Sequence, residues 1–427
     1  MTAISLLLAA IGLLLLLPTV SDAVSLLVAL VARRRASPAE SPDRVPRFLI
    51  LTPAHNEELL IAATVESVKR LDWPDHAVDV VVVADNCTDR TAEIAAGAGA
   101  TVLERSDSVL KGKPRAIAWA LERVDLQRYD AVVVLDADSM IDPGYCAAIA
   151  AQGRIRDRAF QGWIDLSNRD ETALTRMAYV FSAARCLYMN RLKTAAGLAV
   201  PFGNGLCIGV EVLERYGWTA FSLSEDWELY AILVERGVPV VGVPGAHTYS
   251  QEAKSLDQGA SQRSRWANGK LAVLLQYAGG LLRTRHAGWR QKLDVFAELI
   301  GFGPVVHFGL SFVLVLLAMV LQLPGWPWIV GILVASVARL GVYTLLALRH
   351  DPEPMKTLLA FGYVPVYGVW RVGVQLSQPG LGSDRSPCRG PVVEGGVGRR
   401  KVVSTGPLHC NNRQVSQLSH VSSIIAS

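Results

Sequence analysis

Two carboxylates stand one residue apart directly after a short apolar segment near the middle of the chain. Val132–Leu135 is followed by Asp136, Ala137 and Asp138. A continuous run of Val and Leu is typical of a strand buried on both faces of a parallel sheet. Alternate residues of a strand point the same way, so both carboxylates are expected at the carboxyl edge of the sheet. Two like charges this close favour a bound cation, and hard oxygen ligands suit Mg²⁺ or Mn²⁺ on a phosphate-bearing substrate. The alternative interpretation is a solvated turn, because Asp-x-Asp-Ser also favours turns.

Three other apolar segments lead into residues of similar potential. The segments are 48–51, 78–83 and 100–103, and the residues that follow them include Pro53, Glu57, Asp85 and Lys113. Strands that alternate with helices at this spacing predict a parallel, doubly wound α/β sheet with one ligand crevice along its carboxyl edge. Two of these residues have a second interpretation, since Glu57 also fits helix capping and Lys113 also fits a solvated surface charge.

The second half of the chain carries two further motifs and a glycine-rich loop. Ser224-Glu225-Asp226 places two carboxylates at the start of a predicted helix. Gln262, Arg265 and Trp266 lie on a predicted basic and aromatic helix. The structural alternative for that helix is an amphipathic segment at a membrane surface. The loop Gly203-Asn204-Gly205 precedes another predicted strand.

Composition narrows the class of protein. The chain has 427 residues, of which 51% are hydrophobic, and a formal net charge of +4. The high hydrophobic content indicates membrane segments added to a globular domain. The small net charge gives no indication of nucleic-acid binding. Six dispersed cysteines without a CxxC pair indicate neither a disulfide framework nor a zinc site.

The N-terminal segment predicts a membrane span. Residues Thr2–Ala32 are almost wholly apolar and long enough to cross a bilayer as a helix. A cleaved signal peptide fits less well, because the segment lacks a basic start and is too long. Arg33-Arg34-Arg35 follow it and predict a cytoplasmic location for the next residues. Within the span, Asp22 is expected to snorkel rather than to pair with another helix.

The C-terminal part predicts two more spans. Residues 296–323 and 326–348 are apolar and long enough, and the turn Pro324–Pro327 joins them as a helical hairpin. Residues 357–374 leave open whether they span the membrane or lie in its interface. We therefore expect a multi-pass protein of the inner (plasma) membrane with its central domain in the cytoplasm.

These features divide the chain into six predicted parts. They are a transmembrane helix at 1–35, a linker at 36–47, an α/β domain at 48–275, an amphipathic interfacial segment at 276–295, a region of two or three transmembrane helices at 296–376, and a disordered tail at 377–427.

The order of the motifs resembles one known family. Along the chain the motifs are Glu57, Asp85, Asp136-Ala-Asp138, Glu225-Asp226 and the Gln262–Trp266 segment. This order resembles the family-two glycosyltransferases with a GT-A fold, above all the membrane-integrated branch of cellulose, chitin and hyaluronan synthases and ceramide glucosyltransferases. The resemblance covers residues 48–270 and extends loosely to the flanking helices. It implies a Rossmann-like, mostly parallel α/β domain in the cytoplasm, flanked by transmembrane helices.

The resemblance also implies roles for the motif residues. Asp138 would hold Mg²⁺ or Mn²⁺, and Asp226 would be the general base for the acceptor hydroxyl. The donor-binding residues would be Pro53, Glu57, Asp85, Lys113, Asp136 and Arg265, with Lys113 and Arg265 near the diphosphate. The acceptor-binding residues would be Glu225, Gln262 and Trp266, whose flat indole suits a pyranose. The expected reaction is a single inverting displacement on a nucleotide-sugar, with a UDP-sugar as the expected donor.

The acceptor is left open between two classes. The Gln-x-x-Arg-Trp signature occurs in polymer-making relatives, whereas the small number of predicted spans also fits a lipid acceptor that is glycosylated once. A homo-oligomer or an export partner would supply the channel that a polymer needs. The alternative from another class is a non-catalytic membrane scaffold, which the retained acidic motifs disfavour.

Overall fold

Eight strands form one mixed sheet in the part of the chain that this computed structural model describes, which is residues 3–32, 44–365, 367–368 and 370. The strands are β1 (Phe48–Ala54), β2 (Val78–Asp85), β3 (Thr101–Arg105), β4 (Ala131–Val134), β5 (Met140–Ile141), β6 (Ala159–Leu166), β7 (Leu206–Gly209) and β8 (Val240–Ser250). Their order across the sheet is β3-β2-β1-β4-β7-β6-β8-β5.

The α-helices pack on this sheet or form the apolar region beside it. They are α1 (Ala3–Ala32), α2 (Ile61–Lys69), α3 (Thr91–Gly97), α4 (Lys113–Leu121), α5 (Tyr145–Ala150), α6 (Ala173–Ala183), α7 (Asn190–Ala195), α8 (Val210–Tyr216), α9 (Glu225–Glu235), α10 (Leu256–Arg283), α11 (Trp289–Ile300), α12 (Pro304–Val320), α13 (Trp326–Ala347) and α14 (Pro354–Ala360).

The predicted parallel half of the sheet is confirmed. Strand β1 pairs in parallel with β2 on one side and with β4 on the other, and β2 pairs in parallel with β3. The register aligns Ala54 with Ala84, and Leu51 with Val134. The carboxyl ends of these strands therefore meet at one edge of the sheet, as the ligand crevice requires.

The other half of the sheet is not parallel throughout, which corrects the prediction of a doubly wound parallel sheet. Strand β7 runs antiparallel to β4 and β6, and β5 runs antiparallel to β8. Because β7 is reversed, its first residue, Leu206, lies opposite Val134. The loop Gly203–Gly205 thus ends at the carboxyl edge of β4, next to the acidic motif.

The apolar strands build the core as their composition predicts. Phe48, Leu49, Ile50 and Leu51 are fully buried, and they divide between two hydrophobic clusters on opposite faces of the sheet. Burial of such side chains contributes about 1.5–3 kcal/mol each, so the central strands anchor the domain.

The helical stretch over residues 173–195 is interrupted. Helix α6 is followed by a π-helical segment, Ala184–Met189, and then by α7. Thr172 caps the start of α6 through a hydrogen bond from the Thr175 backbone N–H. A π-helical turn widens the helix and is frequent at functional sites.

Helices α1 and α13 are each long and apolar enough to cross a membrane. They run side by side in the same direction, because Gly12 lies against Leu333 and Asp22 pairs with Arg339. The expectation that Asp22 snorkels is therefore wrong: its carboxylate lies 2.5 Å from Arg339 Nε, and both side chains are largely buried. Pairing removes the cost of an isolated charge among apolar helices.

The predicted span over residues 296–323 is broken. Helices α11 and α12 meet at an angle of 79° across residues 301–303. Gly303 precedes Pro304, which disfavours helical backbone at the glycine, and Gly303 has a ψ of 152°. The pair counts as one bent span or as a re-entrant loop, which would raise the number of candidate spans from two to three.

Several predicted segments fall partly or wholly beyond the described residues. Residues 33–43 of the N-terminal boundary and linker, and the tail at 377–427, lie outside them. The predicted interfacial segment at 276–295 comprises the end of α10 and the start of α11. Of residues 357–374, the structure describes the end of α14 and a short 3₁₀ turn, Phe361–Tyr363, with a few residues beyond it.

Candidate functional site

The acidic motif lies in a turn at the end of β4, where three loops meet. Asp136 donates its backbone N–H to Asn204 Oδ1 at 3.0 Å, which joins the β4 turn to the loop before β7. The amide of Asn204 also donates to the hydroxyls of Ser139 (2.7 Å) and Ser250 (3.0 Å). The amide of a single half-buried residue thus fixes the turn that carries both carboxylates, because several hydrogen bonds to one side chain specify its position.

Lys113 connects the two acidic motifs of the sequence. Its Nζ lies 2.7 Å from Asp136 Oδ1 and 3.0 Å from Glu225 Oε1. Burial by itself would lower the pKa of Lys113, but the carboxylates of Asp136 and Glu225 raise it above its usual value. Lys113 therefore stays charged in the site, and the interpretation as a solvated surface charge is wrong.

Gly112 sets the position of Lys113. It precedes α4 with a φ of 103°, a backbone conformation that other residues rarely adopt, and Pro114 is the second residue of the helix. The lysine thus stands in the first turn of α4 and reaches across to both carboxylates.

Asp226 lies in the first turn of α9, directly after Glu225. Burial, followed by repulsion from Glu225, raises the pKa of Asp226 to about 6. The backbone N–H of Trp227 and the cations of Lys113 and Arg185 oppose this rise. A carboxylate with a pKa near 6 accepts a proton more readily than an ordinary aspartate and is still ionised at pH 7.

Asp138 has the properties of a ligand that contributes to a metal site completed by substrate. Its side chain is exposed, and one oxygen accepts a hydrogen bond from Ser139 Oγ at 3.1 Å. Among the described residues, no group of three or more His, Cys, Asp or Glu side chains is placed to hold a metal ion. Mg²⁺ is often held by one or two carboxylates together with substrate phosphates, so the donor set fits that mode of binding.

Glu57 lies near the negative charges of Asp136, Asp138 and Asp89. Burial, followed by repulsion from Asp138 and Asp89, raises the pKa of Glu57 above its usual value. Its backbone N–H donates to Thr91 Oγ1 at 2.8 Å, and Asp89 Oδ1 accepts from the Thr91 backbone N–H. Glu57 therefore lies in the turn between β1 and α2, close to the acidic motif and ahead of the helix it was expected to open.

Asp85 is held at the end of β2 by a buried arginine. Its carboxylate lies 2.5 Å from Arg105 Nη1, and both side chains are less than 10% exposed. Asn86 Nδ2 donates to the same oxygen at 2.8 Å. Pro53 lies in register with Val83 in the neighbouring strand. Asp85 is thus oriented and neutralised before any ligand binds.

The Gln-x-x-Arg-Trp motif falls on α10. The side chains of Gln262, Arg265 and Trp266 lie outside the described residues, so their roles stay predictions. The same helix closely approaches the Ser224-Glu225-Asp226 turn at Gly269, where a Cβ atom would stand 1.8 Å from Ser224 Oγ. This close approach places the helix of the third motif against the start of α9.

Sequence reasoning missed two residues that organise the site and only noted a third. Arg105 was missed because it ends β3 and its only signal is a charge at the carboxyl edge. Ser250 was missed because β8 continues to it past Pro244 and Gly245, two residue types that usually end or interrupt a strand. Asn204 was noted as part of the glycine-rich loop. Its hydrogen-bond partners were not predicted, because they depend on the antiparallel pairing of β7.

Comparison with known proteins shows which family and which relatives the chain resembles. The model of the glycosyltransferase-like family 2 matches residues 46–269, just over half of the chain. A probable glycosyltransferase of Bacillus subtilis is 27% identical over 251 residues, covering 56% of this chain and 58% of that protein. A beta-monoglucosyldiacylglycerol synthase of Synechocystis is 24% identical over 299 residues, covering 62% and 58%. The chain therefore spans less than two thirds of the length of these relatives.

A solved structure supports the fold. The mannosyltransferase of Pyrobaculum calidifontis, in complex with GDP-mannose and Mn²⁺, superposes with a TM-score of 0.50 at 19% identity. The alignment covers 86% of this chain and 99% of that one. The mixed α/β domain is thus of the GT-A type, as the order of the motifs implied.

Proposed function

Because the chain belongs to the glycosyltransferase-like family 2, we propose that it transfers a hexose from a nucleotide-sugar to a membrane acceptor at the cytoplasmic face. The observation that carries this proposal is the group formed by Asp226, Glu225, Lys113 and Asp136. It joins a carboxylate with a pKa of about 6 to a lysine that contacts the donor-side carboxylate. Such a group supplies a base for the acceptor and a cation near the departing diphosphate.

The reaction needs one displacement. The acceptor hydroxyl gives its proton to Asp226, its oxygen bonds to the anomeric carbon, and the bond from that carbon to the diphosphate breaks. An oxygen that attacks opposite the leaving group inverts the configuration, so an α-linked donor gives a β-linked product. Lys113 stabilises negative charge on the leaving diphosphate.

The donor is held by the parallel half of the sheet. Asp85, fixed by Arg105, faces the nucleoside end together with Pro53 and Glu57, where a carboxylate suits hydroxyl and imide donors. Asp138 would hold Mg²⁺ or Mn²⁺ together with the donor phosphates, and Asp136 would contact the donor. The metal supplies charge stabilisation for the leaving diphosphate.

A lipid is the acceptor that the geometry favours. Lys270 on α10 donates to the carbonyl of Gly301 at 2.6 Å, within the break between α11 and α12. Its Nζ also lies 4.4 Å from the ring of Trp227, the neighbour of Asp226. The general base therefore stands two contacts away from the broken apolar helix pair. The relatives named as glucosyldiacylglycerol synthases are consistent with a lipid acceptor.

A radiolabelled transfer assay tests the proposal. The full chain in phospholipid nanodiscs is incubated with UDP-glucose, UDP-N-acetylglucosamine or GDP-mannose and then extracted with chloroform. One donor should give a chloroform-soluble product that Asp226→Asn abolishes. Insoluble product of high mass would instead indicate a polysaccharide acceptor. If no donor supports transfer, and cells that carry Asp226→Asn have the same phenotype as wild-type cells, the protein is a non-catalytic scaffold.

A further inference from the structure

A pair of cations without direct counter-ions flanks the residue next to the proposed base. Arg185 Cζ lies 5.1 Å from the centre of the Trp227 ring, and Lys270 Nζ lies 4.4 Å from it. All three residues are partly exposed, although Arg185 Nη2 itself is buried. The negative face of an indole ring attracts such cations, which holds them in place without neutralising them.

The nearby carboxylates are already committed to another cation. Lys193 lies 2.7 Å from Asp294 and 2.8 Å from Glu298, and Ser21 of α1 also donates to Asp294 at 2.8 Å. No carboxylate among the described side chains lies within ion-pair distance of Arg185 or Lys270. Glu298 and Asp226 attract both cations from beyond that distance, which leaves the direct contacts of the cations open to an incoming anion.

The two cations also have unused hydrogen-bonding capacity. Arg185 Nη2 is buried and has no hydrogen-bond partner in the part of the chain that the structure describes. Lys270 donates only to the Gly301 carbonyl among the described atoms, and burial lowers the pKa of Lys270 to about 8. A buried donor without a partner is costly, and an anionic ligand would remove that cost.

The backbone around Arg185 departs from regular helix. Arg185 lies on the π-helical segment Ala184–Met189, which turns its side chain toward α9 and Trp227. Such segments are rare and, where they occur, are frequently at functional sites. This observation is independent of the charges.

The location indicates which anion is within reach. Gly301, the partner of Lys270, lies in the break between α11 and α12, and a Cβ at Gly301 would stand 3.6 Å from Pro18 of the apolar helix α1. The next residue, Phe302, is 44% exposed. The cation pair therefore opens beside apolar helices, where the phosphate of a lipid is the anion at hand.

We propose that Arg185 and Lys270 bind the phosphate of a phosphate-bearing lipid acceptor, beside Trp227, while a hydroxyl of the same headgroup faces Asp226. This proposal rests on the proposed function and names its acceptor class. The hydroxyl oxygen attacks the anomeric carbon and its proton goes to Asp226, while the nucleoside diphosphate leaves with the bonding electrons. The lipid phosphate does not react, because it only positions the headgroup between two cations.

The test compares acceptors that differ in the phosphate. Full-length protein in phosphatidylcholine nanodiscs receives phosphatidylglycerol or dioleoylglycerol, with the labelled donor that supports transfer. Arg185→Gln and Lys270→Gln should each raise KM for phosphatidylglycerol by about tenfold, the usual loss for a charge-assisted hydrogen bond. At pH 7, about one unit above the pKa of Asp226, the KM for the donor and transfer to dioleoylglycerol should change by less than about twofold, although Arg185→Gln removes a cation that lowers this pKa.

Matched controls separate charge from folding. Arg191→Gln removes an exposed cation six residues from Arg185 and should leave KM for phosphatidylglycerol unchanged. Arg185→Lys keeps the charge and should retain most of the affinity. Transfer to dioleoylglycerol by each variant shows that it is folded.

Three outcomes would overturn the subsite. Equal losses with phosphatidylglycerol and dioleoylglycerol would show a structural role for the cations. Transfer by the wild type to dioleoylglycerol and not to phosphatidylglycerol would exclude a phosphate-bearing acceptor, and the glycosyltransferase proposal would stand. Equal KM values for water-soluble glycerol 3-phosphate and phosphatidylglycerol would assign the site to a free phosphate. Failure of the proposed function is distinct, since no acceptor would then be labelled.

Discussion

The ammonium of Lys113 lies 3.0 Å from the carboxylate of Glu225, and this contact joins the two halves of the site. Lys113 starts α4, in the parallel half of the sheet, and Glu225 starts α9, which follows the antiparallel part. The same ammonium contacts Asp136 in the acidic turn. A substitution that changes the charge of Asp136 or Glu225 should therefore change the electrostatic potential at the other carboxylate, because charges a few ångströms apart interact strongly.

The pH dependence of transfer should report Asp226. The base must be ionised, so kcat/KM should fall as the pH drops below about 6, the pKa of Asp226 in the free protein. Asp226→Asn should lower kcat by about 10²- to 10⁴-fold, the usual contribution of a general base. Donor affinity, measured by equilibrium binding, should stay within about twofold of the wild type. A variant that loses donor affinity instead would assign Asp226 to the donor site.

Neutralising Glu225 and neutralising Lys113 should move the acidic limb of the pH profile of kcat/KM in opposite directions. Glu225 raises the pKa of Asp226, whereas Lys113 lowers it. Glu225→Gln should therefore shift the limb of the kcat/KM profile to lower pH, and Lys113→Met should shift it to higher pH. Lys113→Met should also weaken donor binding, since it removes the cation next to Asp136. Shifts of the same sign in both variants would contradict this arrangement of charges.

Metal dependence should depend on Asp138. Asp138→Ala should abolish the increase in donor affinity that Mn²⁺ or Mg²⁺ gives the wild type, measured by calorimetric titration with and without EDTA. Asp226→Asn is the matched control and should keep the whole metal effect. If Asp138→Ala binds the metal–donor complex normally, the division of roles between these two aspartates fails.

The buried pair of Asp85 and Arg105 should contribute to stability as well as to donor binding. Arg105→Met leaves a buried carboxylate without its partner and should lower the free energy of unfolding of the α/β domain by about 3–5 kcal/mol. Chemical denaturation followed by tryptophan fluorescence measures this loss. Arg128→Ala breaks a more exposed pair with Asp79 and should cost less than about 1 kcal/mol. Equal losses in the two variants would mean that burial does not set the strength of the pair.

The approach of α10 to α9 should depend on Gly269. In Gly269→Ala the new Cβ would stand 1.8 Å from Ser224 Oγ, so α10 must shift away from the Ser-Glu-Asp turn. Transfer should fall by about tenfold or more, since small misplacements of reacting groups are costly, while donor affinity is kept. Gly279→Ala, on the same helix, meets its nearest atom at 3.9 Å and should leave kcat unchanged. Full activity of Gly269→Ala would show that α10 and α9 do not need this contact.

The parallel half of the sheet was predictable because its signals are local. Continuous Val, Ile and Leu runs such as Leu49–Leu51 and Val81–Val83 mark strands buried on both faces, and helices between them leave little choice but parallel pairing. The broken span at residues 301–303 was not predicted from hydropathy. Hydropathy averages over a window, whereas the break depends on the local conformation before Pro304.

The sequence alone determined the acidic turn, the order of the motifs and the family that they indicate, because these depend on residue type and spacing along the chain. Only the tertiary structure decided that Lys113 pairs with Asp136 and Glu225, that Arg105 pairs with Asp85, and that Asp22 pairs with Arg339. The reason is physical: an ion pair requires two charges within a few ångströms, and the members of these pairs are from 20 to 317 residues apart in the chain. The reversal of β7, which brings Asn204 to Asp136, is likewise a property of strand pairing. Strand pairing depends on how distant segments bury their apolar faces together, which spacing along the chain does not specify.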